Sequence, residues 1–245
     1  MSSPLANPRF LPAGDTAVVV EFGDAIDQRL NSRVLAFDAR LARADIPGIN
    51  ETIPTYRSLL VVYDPEVTGQ GELVTRLQAA LDDESDMAET VGRRWTLPVV
   101  YGGPFGEDLS AVAVHHGLSE GEVIDRHATG DYRVYMIGFQ PGFAYLGGLD
   151  PSLETPRRAD PRPKVPAGSI AIGGGQTAVF SVEGPSGWHL LGRTPVRVFD
   201  LARVSPFLLA AGDRVRLRPV PADAWEPLVR RVEAGDILAE EEPRS

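Results

Sequence analysis

Tyr132-Arg133-Val134-Tyr135-Met136-Ile137 runs directly into Gly138-Phe139-Gln140-Pro141-Gly142-Phe143-Ala144-Tyr145-Leu146-Gly147-Gly148. The first six residues alternate and favour β-branched and aromatic side chains, the pattern of a strand. The next eleven interrupt any regular element. Two glycines flank a proline, and three aromatics punctuate the turn. Glycine permits positive φ or the close approach of a ligand or another backbone, and proline holds one turn position rigid. Two readings stay open for the aromatics. They form a flat amphipathic docking face, or they fill the core at the corner of a barrel.

Downstream of this turn the chain keeps the same texture. Segments 169–172 (SIAI), 176–182 (QTAVFSV), 194–199 (TPVRVF) and 213–220 (DRVRLRPV) are short, apolar and separated by Gly and Pro. Such punctuation predicts a closed barrel or a sandwich. Upstream the pattern differs. A buried strand over 15–23 leads to Asp27, placed to N-cap a helix. Leu30, Val34, Phe37 and Leu41 then give that helix one apolar face. Pro47-Gly48 stops it, a strand follows at 56–63, and a second helix covers 72–81. An acidic stretch, 82–89, ends that helix, and a further strand at 95–100 completes a small α+β layer. Residues 1–10 read as a loose start. Between the two textures, 108–127 is helical in two pieces, with a turn at Gly117 and a capping box from Ser119 to Glu122. His127 ends the second piece, where its cationic form suits the helix dipole. Residues 221–245 read as one short helix and a frayed acidic tail. The domains predicted are 1–95, 96–222 and 223–245.

Composition narrows the function classes. The chain has 245 residues, and 24 Lys+Arg against 34 Asp+Glu gives a net charge of −10. That balance, with no basic face on the 108–127 helices, argues against nucleic acid as partner. No apolar run reaches the ~20 residues needed to span a bilayer, and the start lacks a signal core, so a cytoplasmic protein without a membrane partner is expected. Cysteine is absent, which removes disulfides, thiolate metal sites and a Cys nucleophile. The four His make no metal motif, and there is no Gly-x-Ser-x-Gly elbow.

Three further stretches carry candidate chemistry. The Pro-stiffened loop 156–169 presents Arg157, Arg158, Arg162 and Lys164. It is either an anion site or solvated charge paired with nearby acids. Gly173-Gly174-Gly175 is either an anion nest or a hairpin turn that needs left-handed angles. It is not a phosphate loop, because no Gly-Lys-Ser/Thr follows. In segment 184–195, Trp188, His189 and Arg193 lie between turns, and His189 is either a proton shuttle or a structural histidine.

The strings GFQPGFAYLGGL, PRRADPRPKVPAGSIAIGGGQTAVF and GPSGWHLLGRTP resemble the hallmark series of the allophanate hydrolase subunit 1 family, which includes the B components of 5-oxoprolinase and the KipI proteins. The segments DLSAVAVHHGLSEGEVIDRH and LPAGDTAVVVEFG extend the resemblance over almost the whole chain. It implies an α+β fold: a small N-terminal α+β (ferredoxin-like) domain followed by a cyclophilin-like β-barrel, without a recognisable prolyl-isomerase active site. It implies one subunit, inactive alone, of an ATP-dependent 5-oxoprolinase that opens 5-oxo-L-proline to L-glutamate. Partners would be the C component of 5-oxoprolinase in a heteromer and the A component functionally, and the ATP site would be shared with a partner. The alternatives within the resemblance are a KipI-like inhibitor of a sensor histidine kinase and a carboxyltransferase or allophanate-pathway subunit of urea degradation.

On this reading Arg157, Arg162 and Lys164 neutralise developing negative charge. Gln176 holds the amide, and His189 or His127 moves a proton. The catalytic set is His127, Arg162 and His189. The substrate-binding set is Phe139, Phe143, Tyr145, Arg157, Lys164, Gln176, Trp188 and Arg193, with no metal ligand.

Overall fold

The computed structural model describes residues 8–82 and 92–242. It divides into two compact units, Met1–Val91 and Gly92–Ser245. In the first, strand β1 (Arg9–Pro12) pairs antiparallel with β2 (Ala17–Glu21), Arg9 opposite Glu21. The Arg9 guanidinium also binds the Glu21 carboxylate, its Nε at 2.9 Å. Helix α1 (Gln28–Ala44) starts at Asp27, whose side chain accepts from the amides of Arg29 and Leu30. The buried stripe Leu30, Val34, Phe37 and Leu41 is the one the spacing predicts. Strands β3 (Ile49–Pro54) and β4 (Ser58–Tyr63) follow, then helix α2 (Gln70–Asp82). The sheet order is β1-β2-β4-β3, so β2 and β3 flank β4 as in a split βαβ unit. Both helices bury their stripes with Val18, Val20, Leu59 and Val61.

Two sequence expectations change here. The loose start contains a strand, because its backbone finds a full ladder along β2. Segment 49–54 is a strand too, although Asn50 and Glu51 hide its pattern; it is an edge, where polar side chains meet water. Of the acidic stretch 82–89, only Asp82 lies inside the described residues.

The second unit begins with β5 (Arg94–Tyr101). The sequence assigns this strand to the α+β layer, but it pairs in the barrel, since β1 already fills the position beside β2. Helices α3 (Leu109–His116) and α4 (Glu120–Ala128) come next, joined by Gly117 at φ +65° and by the capping box at Ser119 and Glu122. The strands β6 (Tyr132–Ile137), β7 (Ala144–Gly147), β8 (Arg162–Val165), β9 (Ser169–Gly173), β10 (Gln176–Val179), β11 (Gly184–Ser186), β12 (His189–Arg193) and β13 (Arg214–Pro219) follow.

Seven of these strands close in the order β12-β9-β10-β7-β6-β13-β5, and β12 pairs back onto β5. This is the cyclophilin-like barrel. Among the described residues, strands β8 and β11 pair only with each other. Segment 194–199 is not a strand. Its amides bond irregularly, Thr194 to the Gly168 carbonyl and Val196 to the Thr194 hydroxyl, while Val196 and Val198 fill the core. Nor does the C-terminal segment stand apart. Helix α5 (Trp225–Glu233) leads to β14 (Glu240–Glu242), which adds antiparallel to β5. Arg94, Arg216 and Arg218 face its glutamates and offset their repulsion.

Candidate functional site

Strand alternation gives the barrel wall two faces. Ile170, Ile172, Leu146, Val179 and Leu191 point inward, while Ala171, Ala178, Tyr145 and Leu190 belong to a second apolar cluster on the outside. The outer floor is small: Ala171, Ala178 and Gly173. A Cβ on Gly173 would lie 2.8 Å from Cδ2 of Trp188, so only glycine lets that ring lie flat there. Trp188, Phe143, Phe180 and Tyr145 pack edge to face above this floor, with centroids 4.7–6.3 Å apart. Val165 of the β8–β11 flap joins them. The core-filling reading of the aromatic turn holds for Phe143 and Tyr145, which pack in this cluster. Phe143 is core, whereas Phe139 is 64% exposed and sits at φ +66°, its ring 5.7 Å from Phe143.

An acidic residue fixes the flap. Asp108, in front of α3, leaves the helix amides uncapped and turns to the cationic loop. Arg162 binds both its oxygens at 2.8 Å, Arg158 adds a bond at 3.0 Å, and the Leu190 amide donates at 2.8 Å. Burial pushes the Asp108 carboxyl up, but the Arg162 bonds, the Leu190 amide and the two guanidinium charges outweigh it and hold the pKa below the ordinary value. Arg162 is thereby committed. Its fork is saturated by Asp108, so it positions the flap and cannot also take a substrate charge. Lys164 is an exposed partner of Glu183 at 2.9 Å, away from the aromatic floor. For these two side chains the loop follows the paired-charge reading.

Arg157, Gln176 and His189 keep unfilled hydrogen-bonding capacity among the described residues. The Arg157 guanidinium lies 5.4 Å from the centre of the Trp188 ring. It opposes the rise that burial causes in the pKa of Tyr145. Nε2 of His189 donates to the Pro156 carbonyl at 2.8 Å, which leaves Nδ1 to accept. Gln176 stands opposite Gly173, the residue Trp188 lies against, and its Nε2 is buried without a partner. His189 pairs with the inward-facing Ile172 on the other side of β9, so its backbone lies roughly 10 Å from that of Gln176 while strand alternation turns the two side chains to opposite faces of the wall.

Two predicted site residues lie elsewhere. His127 is fully buried in the barrel unit. Its Nδ1 accepts from the Tyr101 hydroxyl at 2.8 Å, and its Nε2 donates to Thr177 Oγ1 at 2.9 Å. Thr177 in turn donates to the Ala171 carbonyl. Desolvation lowers the His127 pKa to about 3, so the ring is neutral and the dipole reading fails. A fully satisfied imidazole sealed from water has no route for passing a proton to substrate. Arg193 sits at the far end of β12, over Trp225 of α5.

The glycine run is a hairpin turn. The amide of Gly174 is already bonded to the Thr155 carbonyl at 2.7 Å, so the run does not cradle phosphate. With Arg158 and Arg162 held by Asp108, this loop region does not fit a nucleotide's phosphates. Among the described residues, no group of three His, Asp or Glu is placed to hold a metal ion. Also among them, no helix is long and apolar enough to cross a membrane. Sequence reasoning missed Asp108, because a carboxylate before a helix reads as an ordinary cap. It also missed Trp225, which lies in a segment set aside as tail.

The family model for the carboxyltransferase domain, subdomain C and D, matches residues 8–209. The protein of Escherichia coli O157:H7 named as the B component of 5-oxoprolinase is 43% identical over 206 residues, covering 84% of this chain and 93% of that protein. Its namesake in Bacillus subtilis is 41% identical over 213 residues, covering 83% and 89%. The crystal structure of TTHA0988 superposes with a TM-score of 0.75 at 38% identity, covering 84% of this chain. This chain spans 40% of the length of that solved chain. From the closed barrel, the matched segment and these identities, the chain belongs to the carboxyltransferase domain, subdomain C and D, family.

Proposed function

We propose that this chain is the B component of an ATP-dependent 5-oxoprolinase, acting in the cytoplasm with the A and C components, and inactive alone. The complex opens 5-oxo-L-proline to L-glutamate while hydrolysing ATP. The identity to the bacterial relatives named as B components of 5-oxoprolinase supports this reading. The observation that carries it is the barrel wall beside Gly173, where Arg157 lies against Trp188 and Gln176 Nε2 is buried without a partner, with His189 one strand further along on β12.

Ring opening breaks the lactam C–N bond, adds a water oxygen to the carbonyl carbon, and returns a proton to nitrogen. Each of these groups has one task. Trp188, buried between Gly173 and the aromatic cluster, supports Arg157 from below and does not itself face the five-membered ring. Arg157, lying against it, attracts the substrate carboxylate. Gln176 Nε2 donates to the lactam carbonyl, which satisfies a donor the free protein leaves unpaired. His189 Nδ1 takes a proton from the attacking water, its ring held by the Pro156 carbonyl. Asp108, Arg158 and Arg162 keep the flap in place without touching substrate. No step on this chain runs through ATP.

The test is reconstitution with the neighbouring components and measurement of ATP-dependent glutamate release. The complete set is expected to turn over and this chain alone to be silent. Within the complex, His189→Ala is expected to lower kcat by about a hundredfold or more with little change in melting temperature. Full activity of that variant removes His189 from the mechanism. No glutamate from the complete set favours the kinase-inhibitor alternative.

A further inference from the structure

A second cavity lies where the end of β12 meets α5. Its volume is about 330 Å³, the size of a small-metabolite site. One wall is apolar, from Trp225, Val229 and Val232. The other is backbone around Gly168. That glycine sits at φ +80°, and a Cβ there would fall 2.2 Å from the Thr194 carbonyl oxygen, so no side chain can invade the floor.

Two polar groups in this pocket lack an opposite number. Arg193 is half-buried, and desolvation lowers its pKa, with Glu183 only partly offsetting this. Its Nε donates to the Ala167 carbonyl at 2.8 Å, and its guanidinium carbon lies 5.1 Å from the Trp225 ring centre. The fork is therefore held in one orientation. Among the described residues, no carboxylate comes within ion-pair distance of it. The second group is Ser181, which lines the same pocket, is 7% exposed, and has an Oγ with no hydrogen-bond partner. Buried polar atoms left unpaired are rare, and Ser181 Oγ, lying in one cavity with a guanidinium that has no acid beside it, points to a missing acceptor. Arg197 at the mouth is already engaged with Asp200 at 3.4 Å. The exposed Glu233 at the rim disfavours a polyanion.

We propose that this pocket binds a small monocarboxylate with a flat apolar body. The carboxylate meets Arg193 and Ser181, and the body lies against Trp225. One fork and one hydroxyl match two carboxylate oxygens, whereas a nucleotide's phosphates need more cations than remain free. The pocket shares no residue with the Trp188 face, so this inference stands apart from the proposed activity.

Benzoate and its neutral isostere benzamide test it on the isolated full chain, by titration calorimetry and by indole NMR signals assigned with Trp225→Phe. Benzoate is expected to bind saturably, with Kd on the order of 1 mM, and to shift the Trp225 signal. Benzamide and Arg193→Gln are each expected to weaken binding by about tenfold or more. Ser181→Ala is the control for folding, since its hydroxyl bonds nothing in the free protein. It is expected to leave the melting temperature unchanged and weaken benzoate by about three- to tenfold. Equal binding of benzoate and benzamide, no saturable benzoate signal, or undiminished affinity in both variants overturns the proposal.

Discussion

The barrel unit carries two histidine networks, and they are built to opposite ends. Around His127 every polar atom has a partner: Tyr101, Thr177 and the Ala171 carbonyl form one closed chain. Around His189 the partners run out. Its Nδ1 stays open, Gln176 Nε2 is unpaired, and Arg157 rests on an aromatic face instead of an acid. The same residue types thus stabilise the fold where their valences are filled and remain available for ligand where they are not. Residue type alone does not separate a structural histidine from a reactive one; the accounting of its hydrogen bonds does.

Substitutions can push each side toward the other. The largest effect is expected at Trp188. Trp188→Ala removes the ring that bridges the outer floor and the flap, and costs about 3–5 kcal/mol of stability by denaturant unfolding, with loss of activity in the complex. A loss below about 1 kcal/mol would mean the flap does not depend on the aromatic cluster. Asp108→Ala comes next. It leaves the Leu190 amide unpaired and Arg162 and Arg158 with only their longer bonds to Glu107 and the Asp160 carbonyl, for a cost of about 2–3 kcal/mol. That lies below the fully buried range, because Arg162 and Arg158 keep 19% and 32% of their side-chain surface. Proteolysis confined to the 156–166 loop is the expected signature.

The inner network is broken by acid. The folded pKa of His127, about 3, lies below its unfolded value of 6.5, so the unfolded chain binds the extra proton between these limits. Its contribution is complete above pH 6.5 and is lost as pH falls toward 3, by up to about 1.4 kcal/mol per unit. His116, also lowered by burial, then by His115 and Arg126, adds a slope of the same sign. Stability curves of His127→Gln, measured between pH 7 and 4, are expected to be flatter than those of the unaltered chain. An unchanged slope would assign the acid sensitivity to other groups. The smallest effect belongs to Lys164. Its exposed pair with Glu183 contributes less than about 0.5 kcal/mol, so Lys164→Ala is expected to leave both melting and turnover untouched.

Much of this architecture is legible before folding. The α1 stripe, the capping box at Ser119 and the strands at 132–137 and 169–172 follow from local periodicity and end chemistry, which the tertiary structure does not override. Long-range pairing is less legible. Nothing local tells β5 to leave the α+β layer, or 194–199 to remain irregular while still filling the core. The site shows the same division. Arg157, Trp188, Gln176 and His189 are marked by unusual stretches, and of these Arg157 and Trp188 are in contact while Gln176 and His189 lie on the strands flanking β9. Arg162 looks identical to Arg157 in sequence, and only Asp108, more than fifty positions earlier, separates a clamped guanidinium from an available one.

The placement of β5 also bears on how the chain is made. Its neighbours β12, β13 and β14 all emerge from the ribosome long after it, whereas the first sheet needs nothing beyond residue 82. During synthesis β5 therefore waits as an unpaired, apolar edge, and closure of the seam is a late event of high contact order. A chain ending before Arg214 retains that open edge permanently, which makes premature termination a route to aggregation even when the first unit is intact.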